Sequence, residues 1–414
     1  MFDDSCYMEP LHLAGRLIME NGGETCRVEE TVLRMGHAFG FREVECFAVP
    51  SGLFVSYRKS DGTIETAVKR IRRKGIDLTR IDEVNAISRH LEQEKMSCQE
   101  VLSQLKAVER RPSRLSPLQM AGAAAMSTAG WSLMFGGGAW DTVTAFFVGL
   151  LIEWVTLLMD KFHMQTLVAT LAGGFLAAFL PMAVNRLTGA LVVEAAVAGA
   201  LMPMLPGLAM TNAVQDTMRG DMVSGISSAV SAAMSAVLLA VGALAGVPAP
   251  ADGRCGMSYE PLGQGLWYFL TSFVGTLGFA ILLHAPKRAW LPASLIGAMT
   301  YTLYWSLKQL SLDEAASMFL AALFGSLLAQ FCARKMRMIA TIFLLLSVVA
   351  LVPGLGLYRC MEQLGHQQYA LGAQTGILTM AGILMMALGI GVGSFLFKLV
   401  VSGTKKIMPG GKQK

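Results

Sequence analysis

Two carboxylates, Glu153 and Glu194, fall inside long apolar runs of the chain. A charge at membrane depth is costly and is usually retained for a function. A carboxyl that exchanges a proton during transport is one reading. A packed, permanently protonated carboxyl is the other, with snorkelling to the interface a third option for Glu153. Glu194 is expected about two turns inside its run, on the helix that carries Pro203, Pro206 and Gly207. A later run ends in a similar pair, Pro353-Gly354. Proline removes a backbone N–H and clashes with the preceding turn, so such positions open a helix and release polar groups to a ligand. Simple terminators at a membrane surface would use the same residues. Thr211, Asn212, Asp216, Arg219 and Asp221 follow the first Pro-Gly. They could gate a pathway or orient a zwitterion, and they are equally what a hydrated loop contains.

The elements that must position these residues are membrane helices. The chain has 414 residues, 54% hydrophobic and 15% charged. An ordinary globular domain has about 25% charged residues. Eighteen of the 29 acidic residues lie in 1–110, which marks a boundary near Arg110-Arg111-Pro112. Beyond it ten apolar runs approach the ~20 residues a span requires. They cover 118–137, 139–159, 164–184, 187–210, 222–247, 262–283, 290–307, 315–332, 338–357 and 373–401. With the first domain in the cytoplasm, fifteen Lys/Arg fall on the inner side and four (Arg186, Arg254, Lys308, Arg359) on the outer side. That bias puts both termini inside.

Residues 1–110 predict a small cytosolic α+β domain. Helical periodicity covers 11–20, 27–39 and 81–105, and strands cover 44–49, 53–57 and a third segment after Asp61-Gly62. No signal peptide is expected. Cys6, Cys26, Cys46 and Cys98 have no C-x-x-C spacing and are expected as free thiols. Glu24, Arg27 and Glu29 could form a polar site, or Glu24 and Arg27 an ordinary i,i+3 pair at a helix start. No nucleophile–base set, metal-ligand spacing or cofactor motif is visible, and no basic stripe suggests nucleic acid.

An internal repeat lies in the apolar region. A shift of 147 residues lays Leu205-Pro206-Gly207-Leu208 on Val352-Pro353-Gly354-Leu355, Gly225 on Gly372, Gly242 on Gly389 and Gly246 on Gly393. Five spans separate the copies, so the halves, 115–255 and 256–414, are expected in inverted topology. That arrangement suits alternating access around a midplane site.

Together these features resemble the threonine/serine exporter (ThrE) family. The resemblance rests on Leu13-Ala-Gly-Arg-Leu17, Glu20-Asn-Gly-Gly-Glu-Thr-Cys-Arg-Val-Glu-Glu30, Ile76-Asp-Leu-Thr-Arg-Ile81, Pro203-x-x-Pro-Gly207 with Thr211-Asn212, Asp216 and Gly220-Asp221, and Leu351-Val-Pro-Gly354 with Leu357-Tyr358-Arg359. It implies the single-chain, two-half form of a proton-driven exporter of small polar metabolites. Threonine and serine are one substrate class it implies, and succinate-like dicarboxylates another. It supplies no proven site residues.

The expectation is an α-helical polytopic protein of the cell membrane: about ten transmembrane helices as two inverted five-helix repeats, with an N-terminal cytosolic α+β domain that gates the inner mouth. Its partners are a small substrate, protons and lipid; self-association stays open, as does a disulfide between Cys255 and Cys360. A membrane-anchored hydrolase is the rival of another class, disfavoured because a single span would anchor an enzyme.

Overall fold

The computed structural model describes residues 6–407, apart from 60, 73–74, 113–114, 163, 165, 219 and 247–260. Cys255 and Arg219 therefore lie outside the described residues. The chain divides into two compact units.

The first unit comprises residues 1–115 with 212–230 and 283–287. Helices α1 (Met8–Glu20) and α2 (Thr25–Ala38) bury Leu11, Ala14, Leu17, Ile18 and Val28, Val32, Met35. These are the faces that the i, i+3, i+4 spacing selects. Strands β1 (Val44–Val49), β2 (Gly52–Arg58) and β3 (Ile64–Arg70) form an antiparallel sheet in that order, with Val49 opposite Gly52 and Gly52 opposite Arg70. Gly15 lets α1 approach β2, since a Cβ there would run into Leu53.

Three expectations change in this unit. The helix expected over 81–105 is two helices, α3 (Leu78–Gln93) and α4 (Cys98–Arg110). Ser97 and Glu100 form a capping box that restarts the chain. Cys6 and Cys98 are joined in a disulfide, while Cys26 and Cys46 are free. Arg27 pairs with Glu30 at 3.1 Å rather than with Glu24, which is the buried residue that opens α2.

Two short segments from the apolar region belong to the same unit. The first N–H groups of a helix lack intrahelical partners. Those of Leu78 and Thr79 at the start of α3 donate to the carbonyls of Leu283 and His284, at 3.1 and 3.0 Å. Thr25 Oγ1 donates to Asp221 Oδ2 at 3.0 Å.

The second unit holds α5 (Pro117–Met134), α6 (Ala139–Lys161), α7 (Thr166–Thr188), α8 (Val193–Leu201), the start of α9 (Gly207–Met218), most of α10 (Met222–Gly246), α11 (Pro261–Leu282), α12 (Lys287–Gln309), α13 (Glu314–Met336), α14 (Ala340–Val348), α15 (Gly354–Gly365) and α16 (Tyr369–Ile407). Among the described residues six helices are long and apolar enough to cross a bilayer: α6, α7, α10, α11, α13 and α16. The pair α14/α15, bent by 49°, makes seven if it is one span. The ten expected runs all appear as helices or broken helices, but ten spans do not follow from length and apolarity. Helix α5 is one of those that fall short: it is rich in small residues, most of them buried against protein. Gly130 lies against Gly275 of α11, where a Cβ would sit 2.8 Å from the Gly275 Cα.

The internal repeat has a structural counterpart. Adding 147 to the bounds of α8, α9 and to the start of α10 gives the bounds of α14, α15 and the start of α16. The 3-10 turns Met202–Met204 and Val349–Leu351 correspond in the same way. The shared glycines are helix-crossing points. A Cβ on Gly242 would strike the Leu171 carbonyl of α7, and one on Gly389 the Phe319 carbonyl of α13.

Candidate functional site

Each broken helix is nine residues of α-helix, three of 3-10 turn, then twelve of α-helix. Pro203 sits in the first 3-10 turn and Pro206 just before α9, while Pro353 precedes α15. In both copies the glycine after the proline, Gly207 or Gly354, starts the second limb. The two breaks meet: a Cβ on Gly354 would lie 2.5 Å from Leu205 Cδ1 and 2.7 Å from Met202 Sδ. A larger residue at 354 would require the Leu205 and Met202 side chains to move aside.

A cavity of about 390 Å³ lies at the second break, a size typical of small-ligand sites. It is lined by the segment Ala350 to Gly356 and by Tyr301, Tyr304, Glu314, Arg359, Thr375 and Thr379, among others. Arg359 Nε donates to Glu194 Oε1 at 2.6 Å. Glu314 is paired with Lys308, Nζ to Oε2, at 3.3 Å.

Glu194 is thus placed differently from the expectation. The fourth run does not begin helically at 187, because α7 continues to Thr188 and Gly189 turns the chain at a φ of +65°. Glu194 lies in the first turn of α8, and its side chain retains 29% exposure beside Arg359. Glu153 is half-buried in α6.

The remaining expected residues separate between the units. Thr211 belongs with the second; Asn212, Asp216 and Asp221 belong with the first. Asp221 precedes α10 and accepts from Ser224 N at 3.2 Å, as a helix-capping carboxylate does. Asp216 accepts from Ser224 Oγ at 3.3 Å. Glu29 accepts from Ala48 N at 3.0 Å. Burial, with the charge of Asp221 nearby, raises its pKa from the ordinary carboxylate range.

Two residues escape a reading of the sequence alone. An apolar run ended at 357 leaves Arg359 in an outer loop, yet α15 continues to Gly365 as an amphipathic helix. The 147-residue shift that reveals the repeat places Arg359 on Asn212, itself a candidate, and so carries the signal. Asp141 is the other. It is buried, and it accepts from Gly138 N and Val192 N at 2.7 Å each. It thereby satisfies the N-termini of α6 and α8 together. The Gly-Gly-Gly run just before it is the cue.

Among the described residues no cluster of His, Cys, Asp and Glu could hold a metal.

Two models of the threonine/serine exporter family match the chain: ThrE over residues 11–248 and ThrE_2 over residues 268–396. Two similar curated proteins each bear the name "Probable succinate transporter subunit YjjP". The one from Escherichia coli (strain K12) is 25% identical over 219 residues, covering 51% of this chain and 82% of the relative. The one from Klebsiella aerogenes is 25% identical over 215 residues, covering 50% and 80%. No solved structure matches the chain. With one family model over the first half and a second over the other, the chain belongs to the threonine/serine exporter family.

Proposed function

We propose that the protein is a secondary transporter that exports a small amino acid of the threonine/serine type from the cytoplasm, coupled to the proton motive force. The observation that carries this reading is the cavity at the second of two facing helix breaks, with the Arg359 guanidinium in its lining. Broken helices expose main-chain groups without a nearby lipid tail, and a fixed guanidinium offers a planar fork to a carboxylate.

Several features support the rest of the scheme. The matching bounds of α8/α9 and α14/α15 support two five-helix halves, and the even number of helices between the pairs, α10 to α13, supports their inversion if each is a span. On a ten-span topology in the cell membrane, the charge bias of the loops supports cytoplasmic termini. The segments 212–230 and 283–287 cluster with the α+β domain, in agreement with one cytoplasmic face for both. Rocking of one half against the other would expose the site to each side in turn. Glu194, which shares Arg359 with the site, is the first candidate for proton coupling and Glu153 the second.

A succinate-like dicarboxylate is the second reading, favoured by the name that the two relatives bear. Inverted membrane vesicles separate the readings. Labelled threonine and serine should accumulate under an imposed pH gradient and dissipate with an uncoupler, with succinate the weaker substrate. Equal uptake with and without a gradient contradicts coupling, and succinate-selective uptake selects the second reading.

A further inference from the structure

The charged lining of the cavity consists of Arg359 from α15 and Glu314 from the first turn of α13. Each is held by an opposite charge that does not line the cavity. Arg359 is held by Glu194 at 2.6 Å, and Glu314 by Lys308 at 3.3 Å. A guanidinium has five N–H donors, so the Nε bond to Glu194 leaves its other nitrogens for a second carboxylate. The side chains are 50% exposed for Arg359 and 61% for Glu314. Both charges can therefore be reached without dismantling a core. Resting on the reading above, we propose that these two ion pairs are the unloaded form of a charge-reading site, in which substrate replaces Glu194 at Arg359 and Lys308 at Glu314.

The arrangement fixes what fits. An α-carboxylate competes with Glu194 for Arg359, and an α-ammonium competes with Lys308 for Glu314. Tyr301 also lines the cavity, and its hydroxyl adds neutral hydrogen-bonding capacity there, whereas the hydroxyls of Thr375 and Thr379 donate to Gln363 Oε1 and the Thr375 carbonyl. A dicarboxylate meets Arg359 equally well, but its second carboxylate faces Glu314, and like charges brought together in a partly desolvated site repel. Glu314 is thus the discriminating residue and Arg359 the common anchor. The charges of Glu194 and Lys308 keep both groups neutralised when the cavity is empty, which lowers the cost of leaving them in a membrane protein.

The test uses the full chain in vesicles and measures exchange of labelled threonine and succinate. Arg359→Gln should reduce exchange of both by about tenfold or more, the scale of losing one charged anchor. Glu314→Gln should lower threonine exchange and raise the succinate-to-threonine ratio by about tenfold. The double variant E194R/R359E rebuilds the ion pair in reverse order and should remain without exchange while keeping the wild-type melting temperature in detergent. Restoration of exchange by the double variant would make the pair a structural brace and overturn the proposal. An unchanged ratio in Glu314→Gln would do the same. If wild-type vesicles exchange neither compound, the exporter reading itself fails. The charge-reading site is then still judged by the threonine-induced rise in melting temperature of the purified protein. The rise must appear in the wild type and vanish in Arg359→Gln; its absence from the wild type or its presence in both overturns the assignment.

Discussion

The two broken helices share a skeleton and differ in chemistry. At positions related by the repeat, Asn212 corresponds to Arg359, Gln215 to Glu362 and Asp216 to Gln363. The Pro-Gly step and the crossing glycines recur because backbone geometry and helix approach require them in both halves. The polar residues of the second limb, one or two turns past each break, are under no such constraint. In the second copy Arg359 lines the cavity, where the first copy has the neutral Asn212, while the charge of Asp216 in the first copy is replaced by Gln363 in the second. The two breaks therefore share a backbone device and differ in the side chains around it, and the proposed site lies where the copies disagree.

The largest effect is expected at Arg359. Its replacement by Gln should cost about tenfold or more in substrate exchange, whereas Asn212→Gln, at the matching position of the first copy, should cost no more than a few-fold in the same assay. Equal losses at both positions would erase the chemical distinction between the breaks.

The limbs are also anchored differently. Asp141 accepts the N–H of Val192 ahead of α8, while Ile339 ahead of α14 caps without a side-chain bond. Asp141→Asn turns one acceptor into a donor that faces an N–H group and should destabilise the protein by about 1–3 kcal/mol, seen as a lower melting temperature in detergent. A neutral result would mean that solvent reaches this turn. Gly389→Ala and Gly242→Ala should each cost about 1–3 kcal/mol by forcing crossed helices apart. A cost in one copy alone would show that the repeat is not symmetric in its packing.

Proton coupling sharpens the comparison further. Glu194→Gln keeps the side-chain volume and an acceptor toward Arg359 but cannot release a proton. It should lose accumulation driven by a pH gradient. Accumulation at the wild-type rate would move the coupling role to Glu153.

The smallest effect lies at Glu29 in the α+β domain, near Asp221 at the end of the first broken pair. Its pKa is raised on folding, so the native state binds this proton more tightly than the unfolded state. The contribution to stability is greatest below the ordinary value of 4.5 and is lost as pH rises through the raised value. In a thermal melt series Glu29→Gln should flatten that decline above pH 4.5. A decline of equal slope in the variant would assign it to another group.

Much of this is legible in the sequence, for identifiable reasons. Helix spacing sets the buried faces of α1 and α2, and the Pro-Gly recurrence locates both breaks to the residue. What escapes depends on distant partners. Periodicity puts Glu194 deep in a span because it cannot see that α7 runs on until Gly189 turns the chain. Arg359 reads as a loop residue because a charge ends the apolar run, although an amphipathic helix accommodates it on a cavity-facing side. The Cys6–Cys98 disulfide joins cysteines 92 positions apart, and no local pattern encodes it. Nor does composition reveal that α5, rich in alanine and glycine, packs on α11.

The most direct test of the central claim, that substrate occupies the cavity at the second break, is protection from chemical labelling. Thr375→Cys in a cysteine-free chain places a thiol in the lining of that cavity. Saturating threonine should slow its modification by a small water-soluble thiol reagent about tenfold, the scale of a site occupied nine-tenths of the time. A labelling rate unchanged by threonine, serine and succinate alike would contradict the account.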